Sequence, residues 1–349
     1  MSEIIQTKRF KTIDLGDSFF ESLKTDYPGF EEWFSKKSDE EAFVQYTEQG
    51  LQAFLYLKDE SGITPESINP PLPSKRWLKV GTFKIEAHHT KLGERFIKKI
   101  MDYAIYGKYE GIYVTIFPKQ RPLIELLKKY GFEETAKKAE EIVLVKELGI
   151  LKNDILRDYP LLSIRNKRKF ILSIYPKYHT RLFPDSILKT EKNVREELIK
   201  DVSYTNSIHK IYICFMPQTA NLRPGDLLAI YRTNDGLGPA KYRSVITSIC
   251  QVEEIKTKDS FTDVDDFVKY TNSYSIFDPT ELKRWFYRSN IVVIRMTYNI
   301  ALNKRVTRGF LTDEIGISPF LYWGFFQLTD DQFKSILNKG EIDENLIIG

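Results

Sequence analysis

The chain has 349 residues, of which 42% are hydrophobic, 29% charged and 13% aromatic, and its formal net charge is +4. Such a composition excludes a disordered or fibrous protein, and the small net charge supplies no bulk argument for a polyanionic partner, leaving only local clusters to make one. The length exceeds what one core commonly organises, so two domains are expected. Cys214 and Cys250 lie in apolar, strand-like runs without the spacing of a metal knuckle; they read as buried free thiols, and no metal site is expected. The start MSEIIQTKRF lacks an apolar signal core, and no run approaches the roughly 20 apolar residues that span a bilayer, so a cytoplasmic protein without a membrane segment is expected.

Phe19 to Phe34 reads as one or two short helices broken at Pro28-Gly29. Ala42 to Asp59 alternates as a hairpin about Glu48-Gln49-Gly50, and Ser61 to Ser74, with four prolines, is a loop. The stretch Trp77 to Phe132 then reads strand, turn, helix, strand, helix. Its first strand ends near Glu86, and a polar turn with Gly93 opens a helix that sets Leu92, Phe96, Ile97, Ile100, Met101 and Ala104 on one side. The second helix closes on Tyr130-Gly131-Phe132, and EIVLVK, from Glu141 to Lys146, supplies a last strand. An N-terminal domain is thus expected over residues 1–148.

A strand that leads into the N-terminus of a helix aims backbone amides at an anion. The order of elements, Gly93 at the helix start and the closing Tyr130-Gly131-Phe132 together resemble the acyl-CoA-dependent N-acetyltransferases of the GNAT superfamily. The resemblance implies a mixed-sheet fold, acetyl-CoA as cofactor, and a cofactor-binding turn made here of Ala87, His88, His89, Thr90, Lys91, Leu92, Gly93 and Glu94. In that family the turn reads Arg or Gln, two variable residues, Gly, one variable residue, then Gly or Ala. Here His88 takes the first position, Lys91 stands at the first glycine, and Gly93 keeps the last. The family often carries a thiolate-protonating tyrosine at the position of Leu127, so Tyr130 is the candidate acid in its place, unless it is simply the aromatic residue that packs a helix end. Glu86 is the candidate general base, since a carboxylate beside an amine binds its cation and helps to deprotonate it; the alternative is a solvated strand-end residue. His88 and His89 are substitute bases, and at most one faces the site because adjacent strand residues point opposite ways.

Residues 149–169, which include RNKRK, are expected as the linker. From Phe170 onward short strand signals follow, IHKIYICFM, DLLAIYRT, SVITSICQVEEI and NIVVIRMTY, with a helical insertion from Phe261 to Tyr287 and a capped helix from Thr329 to Asn338. A mainly β, barrel-like domain over residues 170–349 fits them. The Pro-Gly turn before Asp226, the strand ending in Tyr231-Arg232-Thr233 and the SVITSICQVEEI strand resemble the PUA-like superfamily, including its ASCH and EVE branches. That resemblance implies an RNA or modified-nucleotide partner. Tyr231, Arg232, Lys241, Arg243 and Trp323 are the nucleic-acid-binding candidates, because unpaired bases require a basic groove with aromatic faces; the alternative is the solvated side of a barrel. His179 and His209 lack metal-spaced partners.

The whole chain therefore reads as α/β (α+β), a GNAT-like acyl-CoA-binding domain followed by a PUA-like barrel. The expected function is acetyl-CoA-dependent N-acetylation, directed by the barrel to an RNA, nucleotide or ribonucleoprotein substrate. Two alternatives stand beside it: a non-catalytic binding protein with a degenerate acetyltransferase fold, which Leu127 favours, and a protein N-acetyltransferase whose barrel binds a protein partner.

Overall fold

A seven-stranded mixed sheet organises the first half of the chain. The computed structural model describes residues 5–62, 67–86, 91–183 and 207–348 and divides into two units, Met1–Leu148 and Gly149–Gly349. In the first, β1 (Gln6–Arg9), β2 (Glu41–Thr47), β3 (Gly50–Asp59), β4 (Trp77–Ile85), β5 (Gly111–Ile116), β6 (Glu133–Lys138) and β7 (Glu141–Glu147) lie in the order β1-β2-β3-β4-β5-β7-β6. Only β4 and β5 pair in parallel. Helices α1 (Glu21–Asp26) and α2 (Phe30–Lys36) cover one face, where Phe10, Phe20, Phe30 and Phe34 pack on Val44, Phe54 and Tyr56. Helices α3 (Leu92–Tyr106) and α4 (Arg121–Lys129) cover the other: Phe96 of α3 meets Phe83 of β4, whereas Lys84, one residue on, reaches the α1 side.

Local chemistry explains the breaks. Gly50 holds φ +100° as the hairpin turns into β3, and Gly29 holds φ +89° between α1 and α2, a conformation that glycine adopts without a Cβ penalty. The six residues expected on one side of α3 are all buried, five of them at 0% exposure; each of the Leu, Phe, Ile and Met side chains contributes about 1.5–3 kcal/mol. The strands β1 and β6 escape a pattern reading because they are polar edge strands: EETAKK buries only Ala136 and QTKR buries nothing.

The second unit holds β8 (Leu162–Ser163), β9 (Lys169–Ile174), β10 (His209–Cys214), β11 (Leu227–Arg232), β12 (Val245–Thr257), β13 (Val292–Thr307), β14 (Phe325–Leu328) and β15 (Ile347–Ile348). Six of them form the order β10-β13-β12-β11-β9-β14, with β9 and β11 parallel, while β8 pairs with β15. Three register shifts between β12 and β13 bend the sheet, so that Tyr212 of β10 donates to the Ser173 carbonyl of β9 at 3.2 Å although three strands lie between them. The curled sheet encloses one core that draws on β9 to β13. Residues 149–169, expected as a linker, carry the helix Ile155–Asp158 and β8 within this unit. The insertion contains the helices Val264–Asn272 and Pro279–Phe286, and Thr329 with Gln332 forms the capping box of the helix Asp330–Lys339. No helix among the described residues is long and apolar enough to cross a membrane.

The parallel pair begins with Trp77 opposite Gly111, and a Cβ on Gly111 would lie 2.1 Å from Trp77 Cζ3. Trp77 is 1% exposed, so the ring has little room to retreat. Gly111→Ala is expected to destabilise the protein by about 1–3 kcal/mol, measured as a lower urea midpoint with an unchanged slope.

Candidate functional site

The β4–β5 ladder is short. It runs from Trp77 opposite Gly111 to Val80 opposite Val114 and stops there. Beyond it, β4 continues to Ile85 along β3, with Ala53 opposite Ile85, and β5 continues to Ile116 along β7, with Ile116 opposite Ile142. The two strands therefore diverge, and each presents an unladdered edge to the gap. A bulge starts the divergence: Tyr56 faces Thr82 and Leu57 faces Val80, which leaves Gly81 as the extra residue. A Cβ there would meet the Tyr56 ring at 2.7 Å, so close approach of that ring requires glycine.

Both faces of the gap are occupied. On one, Phe83 and Ile85 turn toward α3, and Ile85 Cδ1 lies 3.7 Å from where a Cβ on Gly93 would stand. On the other, Lys84 Nζ donates to Ser22 Oγ at 2.7 Å and to the Phe19 carbonyl. Glu86 follows, its backbone N–H on the Gln52 carbonyl at 2.9 Å and its half-exposed carboxylate 2.6 Å from Lys84 Nζ.

At the helix start, the described residues of the expected turn have packing roles. Ala87, His88, His89 and Thr90 lie outside the described residues. Lys91 is the N-cap of α3 at φ −88° and caps with no side-chain hydrogen bond, so its replacement of a glycine strains nothing. Gly93 serves helix packing, because a Cβ would sit 2.7 Å from Leu126 Cδ2 of α4. Leu92 is buried, and Glu94, 7% exposed, ion-pairs with Lys129 Nζ at 2.8 Å. A buried carboxylate matched to a cation of α4 ties the two helices together. Leu127 and Tyr130 are both fully buried. Tyr130 is the C-cap of α4; Gly131 follows at φ +87°, with Gly131 N–H on the Lys128 carbonyl at 3.1 Å and Phe132 N–H on the Leu127 carbonyl at 3.2 Å. That is a Schellman motif, and it accounts for Tyr130-Gly131-Phe132 as a helix end.

Three residues not singled out by pattern stand on the β5 side of the gap. Tyr27 packs on Phe117 with ring centroids 5.2 Å apart, and its hydroxyl donates to Glu141 Oε1 at 2.8 Å. Their separation in sequence left no local signal.

In the second unit the five candidates gather at one end of the curled sheet, where β9 and β11 end, β12 begins and β14 begins. Tyr231 and Arg232 are 2% and 1% exposed and so present no outer surface. Arg243 grips Asp235 with two bonds of 2.6 and 2.5 Å; chiefly these bonds hold the Asp235 carboxyl down at about 2. Lys241 pairs with Asp313 at 2.6 Å. Trp323 packs against Tyr231 at 5.3 Å and beneath the Arg308 guanidinium at 4.4 Å. The rings that face solvent at this end are Tyr175, Tyr242, Phe320 and Tyr322.

Behind them, His179 Nε2 meets Thr247 Oγ1 at 2.7 Å, and Nδ1 has no hydrogen-bond partner among the described residues. Burial, with smaller contributions from Arg232 and Arg305, pushes this imidazole down to about 3. No group of three or more His, Cys, Asp or Glu among the described residues is placed to hold a metal ion.

No protein-family profile matches the chain, nor does any curated protein. Among solved structures it is similar to the ASCH protein from Zymomonas mobilis, at 9% identity over 49% of this chain and 94% of that one, with a TM-score of 0.32. It is also similar to the N-acetyltransferase PseH of Campylobacter jejuni in complex with acetyl coenzyme A, at 16% identity over 41% of this chain and 99% of that one, TM-score 0.29. A GNAT-family acetyltransferase from Listeria monocytogenes is similar at 14% identity over 38% of this chain and 78% of that one, TM-score 0.27.

An imidazole that stays neutral when folded but protonates when unfolded lowers stability as pH falls from about 6.5 toward 3, by at most about 1.4 kcal/mol per pH unit. The difference in unfolding free energy between the wild type and His179→Gln is therefore expected to move in the variant's favour on acidification across that window. A difference independent of pH in chemical denaturation would refute the assignment.

Proposed function

We propose that the first unit is an acetyl-CoA-dependent N-acetyltransferase and that the second brings it to an RNA, nucleotide or ribonucleoprotein substrate. The observation that carries the transferase reading is the divergence of β4 and β5 beyond Val80 and Val114. Unladdered backbone edges are unsatisfied ladder positions, and an extended amide chain fits between them. The start of α3, at the same end of β4, adds the field of a helix N-terminus for phosphate, with Lys91 as a nearby cation. When bound, acetyl-CoA would supply the thioester that an amine attacks. Glu86 lies on the α1 side of β4, the same side as Lys84, and would take a proton from that amine directly or through water. Gly93 keeps α3 against α4, and the buried Glu94–Lys129 pair fixes the two helices.

The RNA part of the proposal is supported by the end of the sheet where Tyr175, Tyr242, Phe320 and Tyr322 are exposed beside Lys241, Arg243 and Arg308. Rings of this kind offer faces to unpaired bases. A second reading, a binding protein that retains the fold without turnover, is favoured by the burial of Leu127 and Tyr130.

Millimolar acetyl-CoA is expected to raise the melting temperature of the full-length chain, as a ligand that binds only the folded state must; an unchanged transition would remove the cofactor assignment. Glu86→Gln is expected to lower thiol release with an amine acceptor by about 100-fold or more while keeping the acetyl-CoA-induced thermal shift. Wild-type turnover in that variant would exclude Glu86 as the base.

A further inference from the structure

We infer that the acceptor beside the diverging strands is an amine that carries a second positive charge, held by Glu141 against the rings of Tyr27 and Phe117. The inference rests on the transferase reading. Ile116 stands opposite Ile142 in the β5–β7 ladder, so Phe117 and Glu141 are the next cross-strand neighbours. Phe117 continues the alternation of Tyr113, which packs with Trp77, Val143 and Val145, and it meets Tyr27 of the α1–α2 connection. This is the face that Lys84 also reaches.

The short helix α1 spans the mouth of the gap. Its approach, through Phe19 and Ser22, holds Lys84 on the β4 side, and its end, through Asp26 and Tyr27, rests at Lys119 and Phe117 on the β5 side. Six helical residues cover about 9 Å, the stretch that α1 lays between those two sets of contacts.

Charge decides what the β5 lip takes. Lys84 is matched to Glu86 at 2.6 Å, and Lys119 to Asp26 at 2.5 Å. Glu141 accepts from a neutral phenol, which burial and the Glu141 carboxylate push above its ordinary value. Lys138 is its cross-strand neighbour on β6, yet Glu141 makes no ion pair among the described residues. One carboxylate with an open oxygen, walled by two half-buried rings, fits an ammonium by charge-assisted hydrogen bonding and cation–π contact. The far amine would then lie toward Glu86.

The test uses the full chain without cofactor, titrated calorimetrically with cadaverine and with pentylamine, which differ by one terminal ammonium. Cadaverine is expected to bind about tenfold tighter, a difference of about 1.4 kcal/mol, and Glu141→Gln should reduce that preference to about twofold while leaving pentylamine unchanged. Should Glu141→Gln not fold, Phe117→Leu keeps an apolar side chain and is expected to weaken cadaverine binding severalfold through loss of the ring. Equal binding of the two amines, or a preference that survives both substitutions, overturns the inference and leaves the transferase reading standing. Selective binding without thiol release on adding acetyl-CoA overturns the transferase reading and leaves a cation site.

Discussion

The one extra residue at Gly81 is the constraint on which the first unit depends. A bulge admits a residue that the partner strand does not match, bends the strand and ends regular pairing. Here it lets β4 stay with β3 while β5 stays with β7, so two strands that start as a parallel pair finish apart. Everything proposed for this unit is built around that opening: α3 starts where β4 ends, α1 crosses the mouth, and Glu86 and Glu141 stand on opposite lips. The Tyr56 ring, packed where a Cβ would be, makes glycine the residue that permits the bend.

Residues that look like parts of a cofactor motif also have structural occupations. Gly93 admits Leu126, Glu94 pairs with Lys129, and Gly131 ends α4 in a left-handed turn. Lys91 replaces a glycine at ordinary φ. A motif read as phosphate chemistry is thus, in this chain, equally a description of how two helices pack and stop.

In the second unit, the polar residues that a sequence reader assigns to the outside have been turned inward or matched. Arg232 is buried near Asp235, Arg243 takes the same carboxylate, and Lys241 takes Asp313. Four rings, Tyr175, Tyr242, Phe320 and Tyr322, stay exposed at that end beside these matched charges. A partner drawn by stacking would meet rings first and charge second, which is a weaker salt dependence than a basic groove implies.

Much of the frame was legible in the chain. The period of α3, the hairpin about Gly50, the Pro28-Gly29 break and the cap at Thr329 are local chemistry, decided within a few residues of one another, and so the order of major elements followed from sequence alone. The polar edge strands β1 and β6 were not legible, because an edge strand buries too little to carry an alternating signal. Nor were the contacts that define the candidate site. Tyr27, Phe117 and Glu141 meet across separations that no local pattern records, Tyr130 and Arg232 are withdrawn by packing, and the divergence at Gly81 exists only as a relation among β3, β4 and β5. The sequence determined which segments become strands and helices; the tertiary structure alone decided which side chains face the gap, because facing is a property of how separate segments pack.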